Sequence, residues 1–358
     1  MRTLTLLLLF LMIASPAVSQ DKLTFYGDFR GRVELDRNSD KSDGTTRDNR
    51  DRMRIRARFG LNYAHSNRVT LGMRIRTGDP ASIQSPHITL GDGLSTKPIA
   101  LDRVFARVTF DGGSVWFGKN SNPFWHQNEL FWDDDVMLEG AAATYRLHDK
   151  VEARLGYFVL DTPSSNSFAD QAKMLGGQLI ASQGILTAAI GIQSIRENPD
   201  AVDTRLSDVD YTLVSGSMYA DLRFNDRPVR VGLDIISNLE NYDQVMYNHD
   251  QTSGFVASAR YGSANKTGDW QFRYYFSYIQ KYAVVGAFAQ DDWVRWGSAT
   301  STRSSNFWGH EVRAVYVPGE GQNLVLRAYL VEALELESTG ASALETGTRF
   351  RLDWNISF

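Results

Sequence analysis

The chain contains no cysteine, so it has no disulfide framework to draw on, and no lipoprotein anchor can follow a cleaved leader. It has no strong charge imbalance either. Lys and Arg number 38 against 42 Asp and Glu, a formal net of −4, which is too mild to argue for nucleic acid or a strongly acidic partner. Past residue 19 there is no run of 18 apolar residues, which excludes a transmembrane helix. Catalytic constellations are also missing. The six histidines, His65, His87, His126, His148, His249 and His310, belong to no H-E-x-x-H or local nucleophile motif. Asp133-Asp134-Asp135 could attract Ca²⁺, but adjacent acids do not supply the spaced oxygens of a dedicated loop. Neither an enzyme nor a metal or other cofactor is therefore expected.

What is present begins with a leader. Met1-Arg2 is a short basic start, Leu4 to Ile13 an apolar run, and Ala17-Val18-Ser19 a small-x-small cleavage site. Residues 1–19 read as a secretory signal peptide, and the apolar run is too short to cross about 30 Å of hydrocarbon as a helix. Cleavage removes Arg2 and no acid, leaving 20–358 as one domain of net charge −5.

The opposite end is more informative. Phe350, Leu352, Trp354, Ile356 and Phe358 alternate with Arg349, Arg351, Asp353, Asn355 and Ser357. In an extended strand that period of two puts large apolar groups on one face and polar groups on the other. Similar alternation recurs along the mature chain. Leu23 to Leu35 has Phe25, Phe29 and Val33 against Asp28, Arg30, Arg32 and Glu34; Met53, Ile55, Phe59 and Leu61 alternate with Arg52, Arg54, Arg56 and Arg58; Val69, Leu71, Met73 and Ile75 alternate with Arg74 and Arg76. A strand carrying four arginines cannot be a buried core strand, so one face must be wet.

Further strands are expected near 100–111, 113–119, 138–147, 150–161, 173–182, 185–195, 209–225, 228–238, 253–262, 269–282, 307–317, 322–335 and 346–358, sixteen in all. Seven short turn-like connections, beginning with His65-Ser66-Asn67 and Asp111-Gly112-Gly113, interleave with eight long polar ones near 36–49, 79–99, 120–137, 162–172, 196–208, 239–252, 283–306 and 336–345. An all-β, antiparallel up-and-down transmembrane barrel produces that rhythm: its strands face lipid outward and water inward, and closure leaves no sheet edge unpaired in lipid. Trp270, Tyr274, Tyr278, Tyr316 and Trp354 share the apolar parity and suit interfacial girdles.

Parity also describes the lumen. Arg30, Arg32, Arg52, Arg54, Arg56, Arg58, Arg74, Arg76, Arg103, Arg107, Arg349 and Arg351 point inward on the first four strands and the last, forming one basic wall. Pairing with Asp28, Glu34 and Asp51 is the alternative, yet the nearby inward acids look too few to neutralise the set. The third long connection differs from the others by joining the aromatic anchors Phe124, Trp125, Phe131 and Trp132 to the acids Glu129, Asp133, Asp134 and Asp135. Exposed aromatics need a partner surface, and folding back against the inner wall would supply one.

Here the chain resembles the porins of Gram-negative outer membranes, in which the third loop folds inward to form an eyelet. Asn122-Pro123-Phe124-Trp125 and Leu130-Phe131-Trp132-Asp133-Asp134-Asp135 look like pieces of one porin family of such bacteria. The resemblance implies an outer-membrane channel for passive diffusion of small hydrophilic solutes and ions. It implies that the four acids face the arginines across the constriction, creating a transverse field. The predominance of Arg on several successive strands departs from many porins and tilts the expectation towards anions. It further implies a homotrimer, surrounding lipid and lipopolysaccharide, and delivery by the barrel-assembly machinery through the terminal Phe358. A channel selective for a sugar, phosphate or dicarboxylate is the second reading, since Arg clusters bind such anions bidentately and the inward Tyr26, Tyr211, Tyr219 and Tyr275 could meet sugar rings. A plugged, energy-coupled transporter would need 22 strands and a plug domain, for which the chain is too short.

Overall fold

The computed structural model describes residues 22–161, 171–196, 210–242, 248–297 and 302–358. The leader and most of the connections expected at 162–172 and 196–208 lie outside the described residues.

Sixteen long strands account for the fold: β1 (Leu23–Arg37), β2 (Arg50–Ala64), β3 (Val69–Thr77), β4 (Ile99–Phe110), β5 (Gly113–Ser121), β6 (Met137–His148), β7 (Val151–Asp161), β8 (Ala172–Gln183), β9 (Leu186–Arg196), β10 (Tyr211–Phe224), β11 (Arg227–Asn238), β12 (Ser253–Gly262), β13 (Trp270–Ile279), β14 (Phe307–Tyr316), β15 (Gln322–Ala333) and β16 (Thr346–Ser357). Each pairs antiparallel with its sequence neighbours, and β16 closes on β1 with Asp28 opposite Ser357 and Arg37 opposite Thr348. The barrel is therefore closed and has the sixteen strands that alternation implied.

Burial is inverted relative to a soluble protein. Phe117, Met53, Leu155 and Ile190 are among the most exposed apolar side chains, whereas Arg32, Glu34 and Asp353 are buried. Only a hydrocarbon surround makes that arrangement favourable, because the exposed apolar groups then meet lipid rather than water. Trp270, Tyr274 and Trp354 lie on this outer face, with the Trp270 ring tilted against that of Tyr316 at 4.6 Å between ring centres. At the seam, Gly27 and Phe358 exchange backbone hydrogen bonds of 3.0 and 3.1 Å. The Phe358 ring occupies the space a Cβ at Gly27 would need, so glycine there lets the last residue lie flat on β1.

Two details bend the simple alternation. The ladder between β3 and β4 slips after Arg74, a bulge that turns both Asp102 and Arg103 toward the interior. β3 is short, and Ile88–Thr89 from the second long connection pairs with the stretch of β2 above it.

Candidate constriction and pore wall

The third long connection, between β5 and β6, lies inside the barrel. Phe124 is buried over Gly176, whose missing side chain leaves room for the ring, and meets Phe158 edge-on at 6.5 Å. Trp125 is clamped through its backbone. Its N–H donates to the Gln178 side-chain oxygen at 2.7 Å, and its carbonyl accepts from the same amide at 2.8 Å. Farther along, Asn128 donates to Asp234 at 2.5 Å, and the buried Trp132 packs on Phe288 at 4.9 Å. Phe131 is partly buried against the same cluster.

Phe288 belongs to the seventh long connection, and its position corrects the sequence reading, which treated 283–306 as a polar external loop. Tyr282 to Val285, Phe288, Trp293, Val294 and Trp296 are all buried and form one apolar cluster with Phe124, Leu130 and Trp132. The Asp133 N–H donates to the Phe288 carbonyl at 2.7 Å, joining the two loops. Gln84, from the second connection, donates to the Ala289 carbonyl at 2.7 Å. The signal was available in Ala283-Val284-Val285-Gly286-Ala287-Phe288-Ala289, an apolar run that no exposed loop would favour.

The arginines of the first strands and the last gather on one side, but with more counter-charge than expected. Arg32 binds Asp353 at 2.6 Å and lies 3.7 Å from Asp292. Arg56 and Arg58 share Asp28, at 2.9 and 2.7 Å, and reach Asp135 at 3.6 and 2.9 Å. Arg74 and Arg76 share Asp102; Arg52 and Arg351 share the fully buried Glu34; Arg349 binds Asp36 at 2.6 Å. Arg54 lies 4.0 Å from Glu34 and donates to Ser85. Arg30 donates to Asn355 at 2.5 Å, while Arg107 is exposed beside the Phe105 ring. Among the described residues, Arg30, Arg103 and Arg107 have no carboxylate within ion-pair distance. Asp51, considered as a partner for the wall, instead binds Arg37 at the rim, at 2.5 Å.

The judgement that inward acids were too few is therefore corrected. Asp36 and Asp353 share the inward parity, Asp102 arrives through the bulge, and Asp135 and Asp292 arrive from loops. Parity alone could not reveal the last three. Parity could have revealed a second set of arginines. Arg230, Arg260, Arg273, Arg313, Arg327 and Arg351 stand directly opposite one another on successive strands from β11 to β16.

One cavity of about 110 Å³ brings the two sides together. Arg30, Arg32, Arg56, Arg58 and Arg327 line it with Glu129, Asp133, Asp134, Asp135, Asp291 and Asp292. Of the four acids expected to face the wall, Asp135 is the one ion-paired to it among the described residues. Asp134 instead binds His126 at 3.0 Å, and Glu129 accepts from Gln290. Asp133 turns back on its own loop to accept the Asp135 N–H at 2.7 Å. Burial, with Asp135 and Asp291 nearby, pushes the Asp133 carboxyl well above the usual range. Burial, with Asp292 beside it, raises Asp291 to about 6. Burial lowers His126, but the hydrogen bond and charge of Asp134, the Phe124 carbonyl and the charge of Glu129 together outweigh it and raise the imidazole pKa. His87 is driven well below its ordinary value by burial among Arg32, Arg54, Arg30 and Arg56.

A closed sixteen-stranded barrel with an apolar outer belt, charged inner wall and inward loops is the fold of outer-membrane porins. The comparisons agree. Residues 32–186 match the model of the family described as "Putative porin". Similar solved structures include OprB of Pseudomonas putida (12% identity, 94% of each chain covered, TM-score 0.59). An anion-selective porin from Comamonas acidovorans also aligns, at 12% identity over 94% of this chain and 99% of that one, with a TM-score of 0.57. OmpF of Salmonella typhi, in a complex with daunomycin, gives 14% identity over 94% and 97%, with a TM-score of 0.57. No curated protein matches in sequence.

Proposed function

We propose that the chain is a porin that lets small hydrophilic solutes and ions diffuse passively across the outer membrane, working as a homotrimer whose protomers each keep their own pore. The observation that carries this reading is the cavity where five arginines face six carboxylates across the inserted third loop. Charges of opposite sign on facing walls create a transverse field that orients dipolar solutes and disfavours apolar ones. Sequence parity alone argued for a basic wall facing the acids of the third loop. Asp291 and Asp292 bring this cavity near balance, and the arginine excess lies elsewhere on the wall, at Arg103, Arg260 and Arg273.

Planar-bilayer recordings test this. Purified protein should conduct in proportion to salt, with a mild anion preference. Replacing Arg54, Arg56 and Arg74 by Glu should move the reversal potential towards cations. Unchanged reversal potentials would remove the wall from the selectivity mechanism. Conductance that saturates with one solute class would instead favour a selective channel for a sugar, phosphate or dicarboxylate.

A further inference from the structure

On the short-turn side of the third loop, the inner wall holds a pocket of about 240 Å³, lined by Trp125, Arg230, Arg260, Arg273 and Tyr275 among others. The three arginines stand directly opposite one another on β11, β12 and β13. Like charges placed this way destabilise a sheet unless something neutralises them. Asp221 is engaged in a two-pronged bond to Arg230, at 2.7 and 2.6 Å, and comes no nearer than 3.9 Å to Arg260. Arg273 donates to the Gln271 side-chain oxygen at 2.5 Å and has no carboxylate within ion-pair distance among the described residues. Three guanidinium groups thus share one carboxylate, and all three are part-exposed to the pocket.

The pocket also has an aromatic side. Trp125 is held in place by the paired hydrogen bonds to Gln178, and its ring lies 5.7 Å from that of Tyr219. The Arg230 guanidinium sits 3.6 Å from the centre of the Tyr219 ring, which fixes its plane. The Arg260 and Arg273 guanidinium groups, with only Asp221 at 3.9 Å from the first as counter-charge, suit a carboxylate, and a rigid indole beside them suits a flat ring. The volume is below the roughly 300–1,000 Å³ of sites for drug-sized ligands, which restricts the occupant to a small one.

We propose that this pocket binds a small ring-bearing carboxylate of the benzoate class, with the carboxylate on Arg260 and Arg273 and the ring against Trp125. The pocket would act as a resting point for such solutes along the bore. The proposal rests on the porin reading only for the route by which the solute arrives.

Isothermal titration of the detergent-solubilised mature protein with sodium benzoate measures occupancy whether or not the barrel conducts. Saturable binding is expected, with acetate and benzyl alcohol each roughly tenfold weaker or worse. The double variant Arg260→Gln/Arg273→Gln should lose roughly tenfold or more in benzoate affinity. Trp125→Ala should weaken benzoate and leave acetate unchanged. Arg273→Lys keeps the charge without the fork and should fall between wild type and the double variant, which guards against a misfolded double variant. Absence of saturable heat, equal affinity for benzoate and acetate, or an unaffected double variant would each overturn the proposal. Failure to conduct in a bilayer would overturn the porin reading and leave the binding result standing.

Discussion

Two arcs of the same barrel wall present opposite interiors. From β7 to β13, inward side chains near the long-loop ends are apolar and dry: Phe158, Met174, Ile195, Val256 and Ile279 are fully buried beneath the third and seventh loops. From β15 through β16 to β4, inward positions carry Arg327, Asp353, Arg351, Glu34, Arg32, Arg54 and Arg74. Outward residues on both arcs are apolar and exposed, such as Leu175 and Leu352. A strand's alternation therefore separates its faces without saying what medium the inner face meets. That medium is decided by which loop returns over it.

The sharpest way to break this contrast is to remove a single carboxylate from the charged arc. Glu34→Ala would strand Arg52 and leave Arg351 with Asp292 alone, both arginines being ion-paired to the buried Glu34 carboxylate. Breaking a buried ion pair costs about 3–5 kcal/mol. Denaturant unfolding of the reconstituted barrel should show a loss of that size. A loss within experimental error would mean that water in the bore screens these pairs and that the arc is not structural.

The apolar arc is tested at Trp132→Ala, which empties the contact between the two inserted loops. Large-to-small core changes of this kind cost about 3–5 kcal/mol. Because the barrel ladder does not depend on the loops, the effect should be local. Hydrogen exchange at the Asp133 amide, now bonded to the Phe288 carbonyl, should accelerate while strand amides stay protected. Uniform acceleration along the strands would refute the separation of loop cluster from wall.

A smaller effect is expected from pH, at the junction of the two arcs. Burial and Asp292 raise Asp291 from its ordinary 3.8 to about 6, so the docked loop holds the proton more tightly than the unfolded chain does. Its stabilisation is then full below the ordinary carboxylate value and falls as pH rises through about 6. Asp291 is partly accessible, which tempers the size. Exchange at Ala289, corrected for intrinsic rate, should rise a few-fold between about pH 5 and pH 7. Asp291→Asn should flatten that dependence; persistence of the slope would assign it to another group.

The smallest change belongs to the rim. Arg37 and Asp51 form an exposed pair at 2.5 Å, and such pairs are worth about 0–1 kcal/mol. Arg37→Ala should move the unfolding midpoint barely, in contrast to Glu34→Ala. A loss comparable to that of Glu34 would erase the distinction between buried and rim pairs.

Much of this architecture was legible in the chain. Sixteen alternating segments, seven tight turns and eight long connections specify an up-and-down barrel, because a period of two can satisfy lipid on one side and water on the other only in a closed sheet. The aromatic anchors Phe124 and Trp132 announced a loop that folds inward, since exposed rings cost free energy in water. The inward parity of Arg30, Arg32, Arg56 and Arg58 was likewise readable from their spacing.

What only the tertiary structure decided concerns meetings between residues distant in sequence. Asp102 joined Arg74 because one extra residue in β4 reversed its direction, and a bulge leaves no mark in the alternation. Asp292 reached Arg351 and Arg327 because Ala283 to Ala289 buried itself inside the barrel, a gain that depends on Trp132 and Gln84 already being there. The chain by itself determines which side chains turn away from lipid, because that depends only on each residue's neighbours along the strand. Which of them then lie dry, paired or bare depends on loops crossing the bore, and that is a property of the closed barrel.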